Sequence, residues 1–175
     1  QWAFRNAGGN LYFATTTVAG TATTSTSALS IIGSSGNVGI GTTAPGAVGS
    51  AKLQIHGTNS STAGPHLQFT TTADSYPLLQ TLAYAHDNVG LSFDSYWDGG
   101  WKSSDSGSNF QIYKLTDQLQ FNYENGGGVA AGSAITWSNG LVMTNTGNVG
   151  IGTAVPATLL HVNGTTDTSP TTHGL

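Results

Sequence analysis

A seven-residue motif that occurs twice constrains this chain more than any other feature of its sequence. Gly-Asn-Val-Gly-Ile-Gly-Thr stands at residues 36–42 and again at residues 147–153. Each copy is followed three residues later by a proline, Pro45 or Pro156. Because only two copies occur, far apart in the chain, the pattern does not predict a solenoid of stacked repeats.

Each copy of the motif lies within a longer segment of the same pattern. We call residues 28–57 the first cassette and residues 140–164 the second cassette. In each cassette an apolar segment precedes the motif, and a Leu-x-Ile or Leu-x-Val segment that ends in Gly follows it. Each cassette therefore predicts a strand, a glycine turn, a short strand, a proline-containing loop and a further strand.

Because glycine stands at alternate positions of the short strand, one face of that strand carries no side chains. The opposite face carries Val38 and Ile40 in the first cassette, and Val149 and Ile151 in the second. A bare face allows another backbone to come close, as it must where three chains wind about one axis. A bulge or a tight turn within one chain also needs such an approach, so the pattern leaves both alternatives open.

The composition favours a chain that completes its core with copies of itself. Only 7% of the residues are charged and 25 are Gly, whereas about a quarter of the residues are charged in typical soluble domains. Leu, Ile, Val and Phe make up roughly a fifth of the chain, which is little apolar material for a core. The alternative is a monomeric, Gly- and Thr-rich β domain with a thin core; association would bury surface that a small fold leaves exposed.

Several classes of partner and cofactor are disfavoured. The chain has no Cys, so it forms neither disulfides nor thiolate metal sites. Its pI near 5.5 and its four basic residues predict no nucleic-acid partner, because phosphate binding needs a basic surface. No apolar run approaches the roughly 20 residues of a membrane helix, so we expect no membrane insertion. Residues 1–5 are not a secretion signal, and we expect the chain to be an excerpt or a processed product.

Between the cassettes, from about residue 58 to 137, aromatic residues become frequent and apolar side chains alternate with polar ones over longer runs. Such alternation predicts a half-buried antiparallel sheet. Residues 114–117 are short enough to form a hairpin turn. The predicted strands are His66–Thr70, Val89–Phe93, Asn109–Tyr113 and Gln118–Tyr123.

The whole chain is predicted to be all-β, because no segment has helical periodicity. We divide it into an N-terminal lead-in with the first cassette (1–57), an antiparallel β knob (58–137), and the second cassette with a C-terminal tail (138–175). The first 27 residues, which end in a Thr/Ser run, predict an extended or loosely paired lead-in.

The cassette sequence carries a family resemblance. Gly-Asn-Val-Gly-Ile-Gly-Thr-Thr-x-Pro, followed by a Leu-x-Ile/Val-x-Gly strand, resembles a connector of tail-fibre and tailspike proteins of phages and large viruses, and of related bacterial surface proteins. The segments 87–94, 97–101 and 109–112 are similar to the small β domain found between such connectors. The resemblance covers about three-quarters of the chain, and the self-cleaving chaperone domain that often follows such connectors is not in this sequence.

The resemblance implies a parallel homotrimeric fibre in which interwound β shaft segments flank the knob. It further implies a structural and receptor-binding role in attachment to a host surface, and a location on a virion tail or an extracellular surface. The implied partners are the chain itself, a host cell-surface glycan or other receptor, and other fibre or virion components. In such a trimer, Val38, Ile40, Val149 and Ile151 are expected to lie in the inter-chain core.

The best candidate for ligand binding is the aromatic segment 94–101. Tyr96, Trp97 and Trp101 could stack on sugar rings, while Asp98 could accept hydrogen bonds from hydroxyl groups. The competing interpretation is that these aromatic side chains pack within the fold or across a subunit interface. With Tyr96, Trp97 and Trp101 as a platform, a monomeric carbohydrate-binding module is an alternative function, and a bacterial surface adhesin or filament subunit is another.

The acidic residues support two further hypotheses, catalysis and metal binding, less well. Asp94 with Asp98 or Asp105 could supply paired carboxylates, which glycoside hydrolysis needs about 5 to 10 Å apart, but a Gly-rich turn supports such a pair poorly. Asp87, Asp94 and Asp98 could contact calcium, but their spacing is not that of an EF-hand. The five His residues form no metal-binding motif. We therefore predict no enzymatic activity, no metal and no cofactor.

Overall fold

Apart from the side chain of Asp74, the computed structural model describes residues 2–16, 26–72, 74–124 and 126–164. These residues form fifteen strands and no helix, so the predicted all-β class is confirmed. The chain divides into two compact units, residues 1–65 and residues 66–175.

The first unit is a five-stranded sheet whose strands lie in chain order. Neighbouring strands are antiparallel except β4 and β5, which pair in parallel. A parallel pair needs a crossover connection rather than a tight turn, and the proline-containing loop of the first cassette supplies it. The strands are β1 (Trp2–Ala7), β2 (Asn10–Thr15), β3 (Leu29–Ile31), β4 (Val38–Ile40) and β5 (Leu53–Ile55).

The beginning of the chain is more ordered than the sequence predicts. Instead of a loosely paired lead-in over residues 1–27, β1 and β2 form an antiparallel hairpin with six paired positions. Gly8 and Gly9 have φ angles of 60° and 79°, the left-handed values that a two-residue turn between twisted strands requires. Residues 17–25 of the Thr/Ser run lie outside the described part of the chain.

The second unit is built on an eight-stranded sheet of order β15-β14-β13-β12-β11-β8-β7-β6. Its neighbours are antiparallel except β14 and β15. The strands of this sheet are β6 (Leu67–Thr71), β7 (Asp74–Ala85), β8 (Asn88–Phe93), β11 (Phe110–Leu115), β12 (Gln118–Glu124), β13 (Trp137–Thr144), β14 (Val149–Ile151) and β15 (Leu160–Val162).

Four strands of this sheet, β6, β8, β11 and β12, occur where the apolar alternation predicts them. The hairpin between β11 and β12 turns at Thr116, whose φ is 50°. The longest strand, β7, is not predicted, because it contains Pro77 and places Leu78 and Leu79 side by side. The second cassette supplies most of β13 and all of β14 and β15, so the segments predicted as knob and second cassette contribute to one sheet. Residues 165–175 of the predicted tail lie outside the described residues.

A second, smaller layer covers part of one face of the eight-stranded sheet. It consists of β9 (Ser95–Trp97), β10 (Trp101–Ser103) and residues 132–135, which hydrogen-bond to β10, and we call it the covering layer. The backbone N–H of Trp97 donates to Gln80 Oε1 at 2.6 Å, and Ser92 Oγ donates to the carbonyl oxygen of Ser95 at 2.8 Å. These bonds hold the covering layer against β7 and β8.

The sheet face beneath the covering layer is polar. Gln111 and Asn122 are 2% and 5% exposed and lie on neighbouring strands. Asn139 Nδ2 donates to Asn122 Oδ1 at 2.8 Å, and Asn122 Nδ2 donates to Gln111 Oε1 at 2.9 Å and to Gln120 Oε1 at 3.1 Å. We call these four side chains the amide ladder. Because an unpaired buried amide costs free energy, these hydrogen bonds favour the observed register of β11, β12 and β13.

We expect Asn122→Ala to lower the free energy of unfolding by about 2 kcal/mol, because the amide oxygens of Gln111 and Gln120 lose their donor while remaining buried, and Asn139 loses its acceptor. Denaturant unfolding at one protein concentration measures the effect. The matched control is Asn145→Ala at an exposed turn position, where we expect a change within about 0.5 kcal/mol. Equal losses for both variants would show that the ladder does not stabilise the sheet.

Candidate self-association surface

The two cassettes have the same strand pairing and matching side-chain contacts. In each, an antiparallel pair is followed by a parallel pair, β3-β4-β5 in the first and β13-β14-β15 in the second. Asn37 Nδ2 donates to the carbonyl oxygen of Pro45 at 3.1 Å, and Asn148 Nδ2 donates to that of Pro156 at 3.4 Å. The motif asparagine therefore ties the short strand to the proline-containing loop in both copies.

The glycine face of each short strand is occupied by the chain itself. A Cβ atom on Gly39 would lie 2.7 Å from the carbonyl oxygen of Thr42, and a Cβ on Gly150 would collide with the carbonyl oxygen of Thr153. Both glycines are buried. Of the two alternatives that the sequence leaves open, the close backbone approach is thus made by a turn within one chain.

The opposite face of each short strand is open. Ile40 and Ile151 are each 43% exposed, and Val38 and Val149 are partly exposed. Strand pairing places Ile40 beside Leu29, and Ile151 is paired in the same way with an apolar residue of β13. The four residues expected in an inter-chain core therefore lie on apolar surfaces that the described residues leave accessible.

In the second unit this apolar surface crosses all eight strands. The strand register aligns its side chains in three rows on the face opposite the covering layer, and only Thr81 and Lys114 interrupt them. We call these nineteen positions the apolar face. The rows are Leu67, Thr81, Leu91, Ile112, Phe121, Leu141, Ile151 and Val162; Phe69, Leu79, Phe93, Phe110 and Tyr123; and Val89, Lys114, Leu119, Met143, Val149 and Leu160.

In this unit the covered face of the sheet is mainly polar and the uncovered face is apolar, which is the inverse of an ordinary half-buried sheet. Phe110 is 51% exposed and Val162 is 61% exposed on the apolar face. Among the described residues of the unit, the large apolar or aromatic side chains that are buried are Leu82, Tyr113 and Val142. The covered face is mainly amide and hydroxyl, whereas the apolar side chains face solvent.

The apolar face is close in size to one side of a protein interface. Each side-chain position on one face of a sheet occupies about 4.8 Å by about 6.8 Å, so nineteen positions cover roughly 600 Å². That area is at the upper end of the roughly 300–600 Å² found for the largest apolar patch on a monomer. It approaches the roughly 800 Å² that each partner buries in a specific protein interface.

The sheet of the first unit has the same inversion. Its open face carries two rows of mostly apolar side chains, whereas Ser30 and Gly39 on the other face are buried, and Ser30 Oγ donates to the carbonyl oxygen of Thr42 at 2.6 Å. The rows are Phe4, Phe13, Leu29, Ile40 and Ile55, and Asn6, Leu11, Ile31, Val38 and Leu53.

The three aromatic side chains of the candidate sugar platform pack in two separate groups, Trp97 with Trp101 in one and Tyr96 in the other. Trp97 and Trp101 meet at 5.6 Å between ring centroids, with an angle of 70° between their planes. Trp101 also makes edge-to-face contacts with Tyr113 and Trp137, both at 5.8 Å, and Trp97 makes one with Tyr84. Because these contacts join the covering layer to the sheet, both tryptophans have a packing role within the fold.

Tyr96 lies in a separate ring pair. It stacks on Tyr76, with 5.7 Å between ring centroids and an angle of 28° between their planes. Burial raises the pKa of the Tyr96 phenol, and the negative charge of Asp98 adds to this effect. Asp98 itself is exposed. The ligand-binding role of Tyr96, Trp97, Asp98 and Trp101 stays a prediction.

The acidic residues form no metal-binding group in the part of the chain that the structure describes. Asp87 pairs with Lys114 at 2.6 Å between carboxylate oxygen and Nζ, and this hydrogen bond holds the pKa of Asp87 below its usual value. Both side chains are exposed, so the pair contributes little to stability. No helix long and apolar enough to cross a membrane occurs among the described residues.

Comparison with known proteins adds no identification. No protein-family model matches the chain, and no curated protein is significantly similar to it.

Proposed function

We propose that this chain is a segment of a homotrimeric β fibre of the tail-fibre kind, in which three copies bury their apolar faces against one another. The observation that carries the proposal is the inverted burial of the eight-stranded sheet. Water disfavours an exposed apolar face of this size, and association of copies removes it from solvent. The number of copies, and the role of the cassettes as interwound shaft segments, rest on the resemblance of the cassette sequence to connectors of trimeric fibres.

The same arrangement assigns roles to the two faces of the sheet. Val149 and Ile151, with their counterparts Val38 and Ile40, contribute to the inter-chain core. The covering layer then faces outward and presents Asp98 and its aromatic neighbours to a host-surface glycan or other receptor. We infer a structural and attachment role, without catalysis, on a virion tail or an extracellular surface.

Absolute mass in solution, measured by light scattering on unheated protein, tests the proposal. We expect a mass near three times 17.8 kDa. A mass near 17.8 kDa would contradict the trimer and show that copies of this chain do not cover the apolar faces. A mass near twice 17.8 kDa would retain self-association but contradict the fibre geometry.

A further inference from the structure

We propose that the two edges of the eight-stranded sheet pair between copies, with β15 of one chain beside β6 of the next. Three sheets would then form the three sides of a triangular prism, with their apolar faces directed toward one another along its axis. The inference rests on the proposed trimer and deepens it by naming the backbone strands that meet.

The first edge, at β15, has backbone groups directed away from the sheet. The backbone carbonyl oxygen of Leu159 accepts a hydrogen bond from β14 at 2.8 Å. The backbone N–H of Asn163 donates one to β14, also at 2.8 Å. In a parallel pair alternate residues point to opposite sides, so Leu160 and Val162 direct their backbone groups away from β14. One of these groups, the carbonyl oxygen of Leu160, accepts a bond from Thr158 Oγ1. On this side of β15 no strand of the described residues is paired.

The second edge, at β6, lies at the other end of the sheet. All five residues of β6 are exposed, and β7 is its one paired neighbour among the described strands. Neither β6, Leu-Gln-Phe-Thr-Thr, nor β15, Leu-His-Val, contains a Lys, a carboxylate or a proline. Edge strands that stay unpaired are usually protected by such residues, so both edges are suited to pairing.

Pairing of these two edges would continue the apolar face from one copy to the next. Leu67 and Phe69 end the face at β6, and Leu160 and Val162 end it at β15. Seven strand spacings separate the two edges by about 34 Å, so one chain does not pair its own edges. A contact between two different edges repeats from copy to copy and closes a ring when the rotation is three-fold.

Disulfide trapping tests this pairing, because the chain has no Cys of its own. We would combine His161→Cys on β15 with Gln68→Cys or with Thr70→Cys on β6, so that two registers are sampled; His161 and Gln68 lie on the face opposite the apolar face. Within one chain the two cysteines lie about 34 Å apart. A disulfide requires Cα atoms within about 7 Å, so a bond between β6 and β15 joins two different chains.

After oxidation we expect at least one double variant to run as a covalent trimer on a non-reducing denaturing gel. The single-Cys variants are the controls, and they should stay at 17.8 kDa. If the reduced double variants have the trimer mass by light scattering and neither crosslinks, the edge pairing is wrong while the fibre proposal stands. Covalent ladders longer than a trimer would overturn the closed ring, and covalent dimers from a single-Cys variant would indicate like-with-like edge pairing. A wild-type chain that is monomeric would overturn the fibre proposal together with this one.

Discussion

Ile151→Asp should leave the chain monomeric at concentrations where the wild type is a trimer. Ile151 lies in the row of the apolar face that crosses all eight strands, and in the proposed trimer three copies of the new carboxylate would enter one apolar core. Burial of an ion without a partner costs several kcal/mol, and here the cost arises three times. Light scattering gives the mass, and circular dichroism shows whether the β structure is retained.

Val155→Asp is the matched control for this experiment. Val155 is 79% exposed in the same cassette, but it lies in the loop between β14 and β15 and not on the apolar face. We expect this variant to assemble like the wild type. An Ile151→Asp variant with the full trimer mass would rule out the apolar face of β14 as an inter-chain core.

We expect Gly150→Ala to lower the free energy of unfolding by about 3 kcal/mol, near the upper end of the usual cost of overpacking. The added methyl group would collide with the carbonyl oxygen of Thr153, which is a backbone atom and cannot rotate away. Relief of the collision requires the proline-containing loop to move off β14, which breaks the cassette. Thermal unfolding at a fixed protein concentration measures the loss.

Gly100→Ala is the control for the glycine experiment. A Cβ atom on Gly100 meets no atom within 4 Å, and the backbone there has no positive φ. The expected change in the free energy of unfolding is within about 0.5 kcal/mol. The equivalent change in the first cassette, Gly39→Ala, should behave like Gly150→Ala. If the Gly150→Ala variant had the same melting temperature as the wild type, the tight turn would not explain the glycine at this position of the motif.

Much of the strand content follows from local alternation. Strands β8 and β11 are predictable because apolar and polar residues alternate in them with a period of two, which belongs to strands. Strand β7 is not, because Pro77 and the adjacent pair Leu78 and Leu79 conceal the period and its place is set by pairing with β6 and β8. The β1 hairpin differs, because its signal is local: Gly8 and Gly9 between two runs with alternating apolar residues are typical of a two-residue hairpin turn, so the prediction of an extended or loosely paired lead-in is wrong there.

The self-association surface was only partly predictable. The motif identifies Ile40 and Ile151, because glycine on one face leaves the other as the apolar face. It does not identify Phe110 or Phe121, because alternation shows that a strand has two different faces and not which one the chain covers. That choice is made by the covering layer, whose contacts, such as the bridge between Lys102 and Ala134, join residues distant in sequence.

Both units end in a cassette, and in both the last strand of the cassette lies at the edge of the sheet. Among the described residues, the strands at this edge of each sheet, β3 to β5 and β13 to β15, lie in or overlap its own cassette. Genetic recombination between two cassettes could therefore delete, duplicate or exchange everything between them and leave each sheet with an intact end. Fibres built from such units would change in length and in surface by whole units at a time, while the joints stayed the same.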